Sequence, residues 1–115
     1  MPKTRFAPAA GRVDDDPRSF EEKLIAALEH PLPETRSRIC WLLGQKRATW
    51  AIPHLVPMLH DSDLFVRVAA LRALGDIGDL SVEPALEAAV RDEKPLVRVV
   101  AEGALEQIRA RTAVR

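Results

Sequence analysis

Three histidines, one cysteine and a run of three aspartates are the first groups in this chain to weigh for binding a metal, moving a proton or attacking an electrophile. His30, His54 and His60 have no histidine partner three or four residues away, so no helical metal-binding pair exists. With a single cysteine, a zinc site would have to gather carboxylates and histidines from distant segments. No metal site is therefore assigned. Asp14-Asp15-Asp16 has the charge to hold a cation. It reads instead as a solvated acidic lead into a helix N-terminus, where negative charge is favoured. Cys40 follows Arg36 and Arg38, which would lower the pKa of a thiol held beside them. It reads as an inert, half-buried thiol rather than an activated one. Gly75 and Gly78 belong to a helix stop, not to a strand-to-helix phosphate loop. No nucleophile, base and acid converge, so no catalytic residue and no cofactor is assigned.

Charge narrows the partner classes further. Seventeen basic and 17 acidic residues cancel over 115 residues. Non-specific nucleic-acid binding draws on a surplus of cations, and so does a polybasic membrane anchor; neither surplus is present. Arginine outnumbers lysine 13 to 4 and asparagine is absent, which reads as coding bias. One cysteine precludes an intrachain disulfide and fits a reducing, cytoplasmic setting. No apolar run approaches the roughly 18 residues of a membrane span, and residues 1–6 lack the apolar stretch of a secretory signal. Apolar residues form 47% of the chain, enough for one core. Aromatics are 4%, tyrosine is absent, and 17 alanines and 14 leucines favour helix.

The elements that position these groups repeat. Shifted by 31, the chain falls on itself: Arg36, Arg67 and Arg98 superpose, as do Leu43, Leu74 and Leu105. Gly44 meets Gly75, Pro53 meets Pro84, and Asp61 meets Asp92. Three units result, about 17–47, 48–78 and 79–111, preceded by a flexible segment 1–16 and followed by a tail 112–115. Each unit reads as two helices. In the first, Asp16-Pro17 or a capping box at Ser19 and Glu22 opens the chain's first helix, and the second helix runs from near Pro33 to Gly44. In the second unit a helix from Trp50 to Leu59 is expected to kink at Pro57. Asp61 or Ser62 then caps a helix from Leu64 to Leu74, which Gly75 ends in a left-handed conformation. In the third, Ser81 caps the first helix and Pro95 starts the second. Val66, Ala70 and Leu74, with Val97, Ala101 and Leu105, form a packing stripe, and small residues such as Ala69 and Ala104 allow close approach. Trp50 reads as a wedge between units.

The pattern Pro-x-Leu-x-x-x-Leu-x-Asp-x-x-x-x-Val-Arg-x-x-Ala-x-x-Ala-Leu-Gly, from Pro53 to Gly75, resembles a HEAT-like repeat, closest to the short variety of phycobilin lyases. The resemblance implies an all-α fold, a short right-handed superhelix of three helical hairpins. It also implies that Asp61, Arg67, Asp92 and Arg98 form a ladder joining units, with a ligand role for the arginines as the alternative. His30 stands where Asp61 and Asp92 stand, which puts the first rung in doubt.

Positions where the units disagree point to function, because the fold does not demand them. Trp41, Arg72 and Gly103 are equivalent; so are Cys40, Leu71 and Glu102, and Ser37, Val68 and Val99. Trp41, Val68, Leu71 and Val99, rimmed by Arg38 and Arg72, would make an apolar patch with a cationic edge on the concave face. Two readings of Trp41 stay open: a contact for a partner, or a cover over the open N-terminal end, under residues 1–16. Phe6 is placed to dock in a groove of this protein or another. Arg109, Arg111 and Arg115 suit a helix C-terminus electrostatically.

The reading is a non-catalytic adaptor or accessory subunit that binds another protein. A homodimer or a larger assembly would cover the array's ends. The alternatives are a subunit of a bilin lyase or other tetrapyrrole-handling enzyme, and a HEAT-like nucleic-acid-binding protein.

Overall fold

The computed structural model describes residues 18–113, so the expectations for residues 1–16, Phe6 and Arg115 lie outside the described residues. The elements are α1 (Phe20–Ala27), α2 (Pro33–Gln45), α3 (Ile52–Leu55), α4 (Leu64–Ile77), α5 (Glu83–Ala89) and α6 (Pro95–Ala113). Short 3-10 turns, Thr49–Ala51 and Val56–His60, flank α3, and another, Leu80–Val82, leads into α5. No strand occurs among the described residues, and the chain is an all-α solenoid of three hairpins. The second helices, α2, α4 and α6, lie side by side, and the shorter elements back them.

Local chemistry explains most boundaries. Ser19 and Glu22 form the reciprocal capping box: the Glu22 N–H donates to Ser19 Oγ at 3.1 Å, and the Ser19 N–H to Glu22 Oε1 at 2.8 Å. Prolines 33 and 95 occupy the first turn of α2 and α6, where a missing N–H loses nothing. The cap of α4 is Asp63, not Asp61 or Ser62; its Oδ1 accepts the N–H groups of Phe65 and Val66. In the third unit Asp79, not Ser81, caps the entry, accepting the Ser81 N–H at 2.9 Å. Pro57 tightens its helix rather than simply kinking it: the α-turns end at Leu55 and 3-10 geometry carries on to His60. The last helix extends to Ala113, so residues 112 and 113 are helix rather than tail.

Gly75 does not end α4, which runs on to Ile77. Its task is packing: a Cβ there would lie 3.0 Å from Ala104 Cα. Gly44 is its equivalent, with a Cβ 3.0 Å from Ala73 Cα. Each glycine lets its helix lie close against the second helix of the following unit. The left-handed residue is instead Arg47, with φ of 54°, at the end of α2, where the Ala48 N–H reaches back to the Leu43 carbonyl.

The fully buried side chains run through all three units: Cys40 and Leu43, then Leu55, Val66, Leu71 and Leu74, then Leu86, Val97 and Ile108. The stripe of Val66, Ala70 and Leu74 and its counterpart Val97, Ala101 and Leu105 lie in this core. Trp50 does not. It is 39% exposed and lines a surface groove with Ile25 of α1, while Ala51 and Leu55 of its own unit are buried.

The ladder between units is present, with two rungs. Arg36 of unit one grips Asp61 of unit two through Nε and a terminal nitrogen, both at 2.9 Å. Arg67 repeats the move toward Asp92 with a single longer contact of 3.3 Å. Each arginine also holds a carbonyl of its own unit's turn: Arg36 that of His30, Arg67 that of Asp61, Arg98 that of Asp92. Arg98 has no following aspartate among the described residues. His30 explains itself here. Asp61 and Asp92 both accept the N–H two residues on, and His30 Nδ1 does the same for Leu32 at 3.0 Å. The turn is kept, and the rung it would join has no preceding unit among the described residues.

Burial alone would raise the Asp61 carboxyl; the Arg36 fork and the Asp63 N–H outweigh it and hold the group below its ordinary value. A carboxyl lowered on folding stabilises the fold above its unfolded pKa of about 3.9, and that contribution fades as pH falls through the folded value. Asp61→Asn keeps the turn acceptor but loses the charge. It is expected to lower the melting temperature at neutral pH, with the gap to wild type closing between about pH 5 and about pH 2. A gap that stays constant in thermal melts across that range would refute the assignment.

Candidate functional site

Helical geometry puts residues i, i+3, i+4 and i+7 on one stripe. On α4 the open stripe is Phe65, Val68, Ala69 and Arg72; on α2 it is Glu34, Ser37, Arg38 and Trp41; on α6 it is Leu96, Val99, Val100 and Gly103. The three stripes are in register at the 31-residue period and form one continuous face. Three of the largest exposures of apolar side chains fall on it: Phe65 at 64%, Val99 at 64% and Trp41 at 59%.

Two grooves run between the helices. The first, about 270 Å³, lies between α2 and α4, with Trp41, Phe65 and Val68 as walls and Arg38 and Arg72 at its edges. The second, about 370 Å³, lies between α4 and α6, lined by Arg72, Val99, Val100, Gly103, Ala104 and Gln107. Neither contains a carboxylate. Beyond the first groove, Glu34 and Asp63 stand near Arg38 and Phe65, the Asp63 carboxylate being occupied by its helix cap.

Of the residues expected on this patch, Arg38, Trp41, Val68, Arg72 and Val99 line these grooves. Leu71 does not. It is fully buried in α4, on the side turned into the core. Its equivalents explain the error: Cys40 and Leu71 are buried in units that have a follower, while Glu102 is exposed where no follower is described. Burial at this position therefore follows whether a described unit stacks on it, and the position marks no site. Phe65 and Leu96 were missed, although the same comparison carried one turn toward the N-terminus places them beside Val68 and Val99.

The arginines show where free charge remains. Arg36 and Arg67 form rungs, Arg98 holds its turn, and Arg47 donates to the Asp76 carbonyl. Arg109 ties α6 to Glu83 and Glu87, and Arg111 donates to the Gly78 carbonyl. On the open face, Arg38 and Arg72 make no hydrogen bond or ion pair among the described residues.

The family model for HEAT repeats matches residues 21–110. The chain belongs to the HEAT-repeat family. Among curated proteins it is similar to the "uncharacterized phycocyanin operon protein Z" of Pseudanabaena tenuis (strain PCC 7409). The two are 32% identical over 87 residues, which is 76% of this chain and 43% of that protein. The HEAT-repeat chain thus spans less than half the length of that relative.

Two residues of the HEAT units lie close to this face and carry tests. Cys40 sits behind it, buried, and burial pushes its thiol up to about 12, with the nearby Asp61 adding to the shift and Arg36 opposing it. The thiol is fully rather than half buried. It is expected to resist iodoacetamide in the folded protein at about pH 8 and to react on unfolding. Labelling of the native protein at the denatured rate would contradict this. Gly103 lies inside α6, where glycine costs about 1 kcal/mol relative to alanine, and a Cβ there would meet nothing within 4 Å. Packing does not require it. Gly103→Ala is expected to raise stability by roughly 0.5–1 kcal/mol, whereas Gly75→Ala lowers it. A thermal melt of each variant checks the pair.

Proposed function

We propose that this HEAT-repeat chain is a non-catalytic adaptor or accessory subunit that seats a protein partner on the α2–α4–α6 face. HEAT repeats generally mediate protein interactions. The observation that carries the reading is the alignment of Trp41, Phe65 and Val99 on the open side of three adjacent helices, while the core takes the other sides. Large exposed apolar patches on otherwise polar domains mark interaction sites, and tryptophan and arginine are enriched at their energetic centres. A cytoplasmic setting goes with this reading, and a second copy of the chain is a partner to be separated from others by sedimentation. No helix among the described residues is long and apolar enough to cross a membrane.

Affinity capture from the source cell with wild type and with Phe65→Ser tests the reading. A protein retained by wild type and lost with the variant, whose melt is unchanged, supports it. Identical capture by both overturns it.

The relative's name, a phycocyanin operon protein, favours tetrapyrrole handling as a second reading. An apolar groove edged by two guanidinium groups suits an extended ring system carrying acid groups. A shift in the absorbance of a bilin on mixing, lost with Arg38→Gln, would favour it over the adaptor. Nucleic-acid binding is the weakest reading, because most of the described arginines already hold a carboxylate or carbonyl of this chain.

A further inference from the structure

We propose that the segment bound on the α2–α4–α6 face is acidic: an apolar stretch with Asp or Glu on either side, whose carboxylates pair with Arg38 and Arg72. This rests on the reading that the face binds protein, and it names that partner's chemistry.

The argument is charge complementarity. Six other arginines among the described residues have a carboxylate or carbonyl to hold, across units, within a turn or between helices. Arg38 and Arg72 have none, nor does Arg91 after α5; Arg38 and Arg72 both border grooves with apolar walls and no carboxylate, Glu34 and Asp63 lying beyond Arg38. Trp41 and Phe65 beside them exclude water from any occupant, and a guanidinium–carboxylate fork strengthens as water leaves. At the far end the Asp76 carboxylate accepts from the Gln107 amide at 3.1 Å and forms no ion pair with Arg72. Gly103 leaves the α4–α6 groove without a side chain, so a partner backbone can come close there. A nucleic acid would follow a line of cations. This face offers two, with Glu34 at its edge.

The test is selection of random linear peptides displayed on phage against the full chain. The expected peptides combine Leu, Phe or Trp with Asp or Glu. Their affinity falls roughly tenfold or more in Arg38→Gln/Arg72→Gln, and equally when their acids are replaced by amides. They are lost with Phe65→Ser, or with Val99→Ser should the first variant melt early. Peptides lost with Phe65→Ser but neutral or basic, and indifferent to the arginines, overturn this proposal and leave the protein-binding reading standing. Selection that returns nothing, or nothing sensitive to Phe65, overturns both. A single-stranded oligonucleotide bound through the same arginines, with no peptide selected, overturns it in favour of phosphate.

Discussion

Deleting residues 93–115 is expected to abolish cooperative folding of the rest of the chain. The deletion removes α6, with Val97, Ala101, Ala104, Leu105 and Ile108 from the core. Val97, Leu105 and Ile108 contribute about 1.5–3 kcal/mol each by burial, or about 5–9 kcal/mol together. That is comparable with the entire stability of about 5–15 kcal/mol usual for a small domain. The loss is also mutual. Gly75 would face water instead of Ala104, Leu86 would lose the helix it packs on, and the ties from Arg109 to Glu83 and Glu87 would go. In a stacked array each unit contacts only its neighbours, so three units have one interior unit and little reserve. Circular dichroism melts and size-exclusion chromatography decide the matter. A soluble 1–92 fragment with a sharp melt would show that two units suffice.

The hairpins were legible because their signals are local or periodic. The 31-residue shift, the capping box at Ser19 and the prolines at 33 and 95 each act within a few residues or by strict repetition. What misled was anything decided by a neighbour distant in sequence. Gly75 has the composition of a helix stop, yet the approach of Ala104, 29 residues later, is what requires it. Asp61 has the chemistry of a helix cap, but it is drawn to Arg36 of the preceding unit and leaves capping to Asp63. Trp50 looks like a core anchor, yet it lies in a surface groove beside α1, and Ala51 and Leu55 are the buried residues of that segment. The candidate face was partly legible for the same reason. The period aligns Trp41 with Arg72 and Gly103, but which side of each helix the next unit covers is settled only by the stacking.

Leu71 and Trp41 are where this distinction is largest, and their variants are expected to behave in opposite ways. Leu71 is fully buried, so Leu71→Ala leaves a cavity that the surrounding helices fill only in part. A loss of roughly 2–5 kcal/mol is expected. Trp41 is 59% exposed, and its position accepts Arg72 and Gly103 in the other units, so the stack does not depend on it. Trp41→Ala should cost under about 1 kcal/mol of stability, as for a surface position. On a partner-binding face the order reverses. A tryptophan at the centre of an interface commonly contributes about 2 kcal/mol or more, which is about thirtyfold in affinity. Peptides selected on the wild-type face should therefore bind Trp41→Ala about thirtyfold more weakly. They should bind the folded fraction of Leu71→Ala as they bind wild type. Denaturant melts give the first quantity and titration with the same peptides the second. If Trp41→Ala melts several kcal/mol below wild type and binds unchanged per folded molecule, Trp41 belongs to the fold, and the binding energy of this face must come from Phe65, Val99 and the two arginines alone.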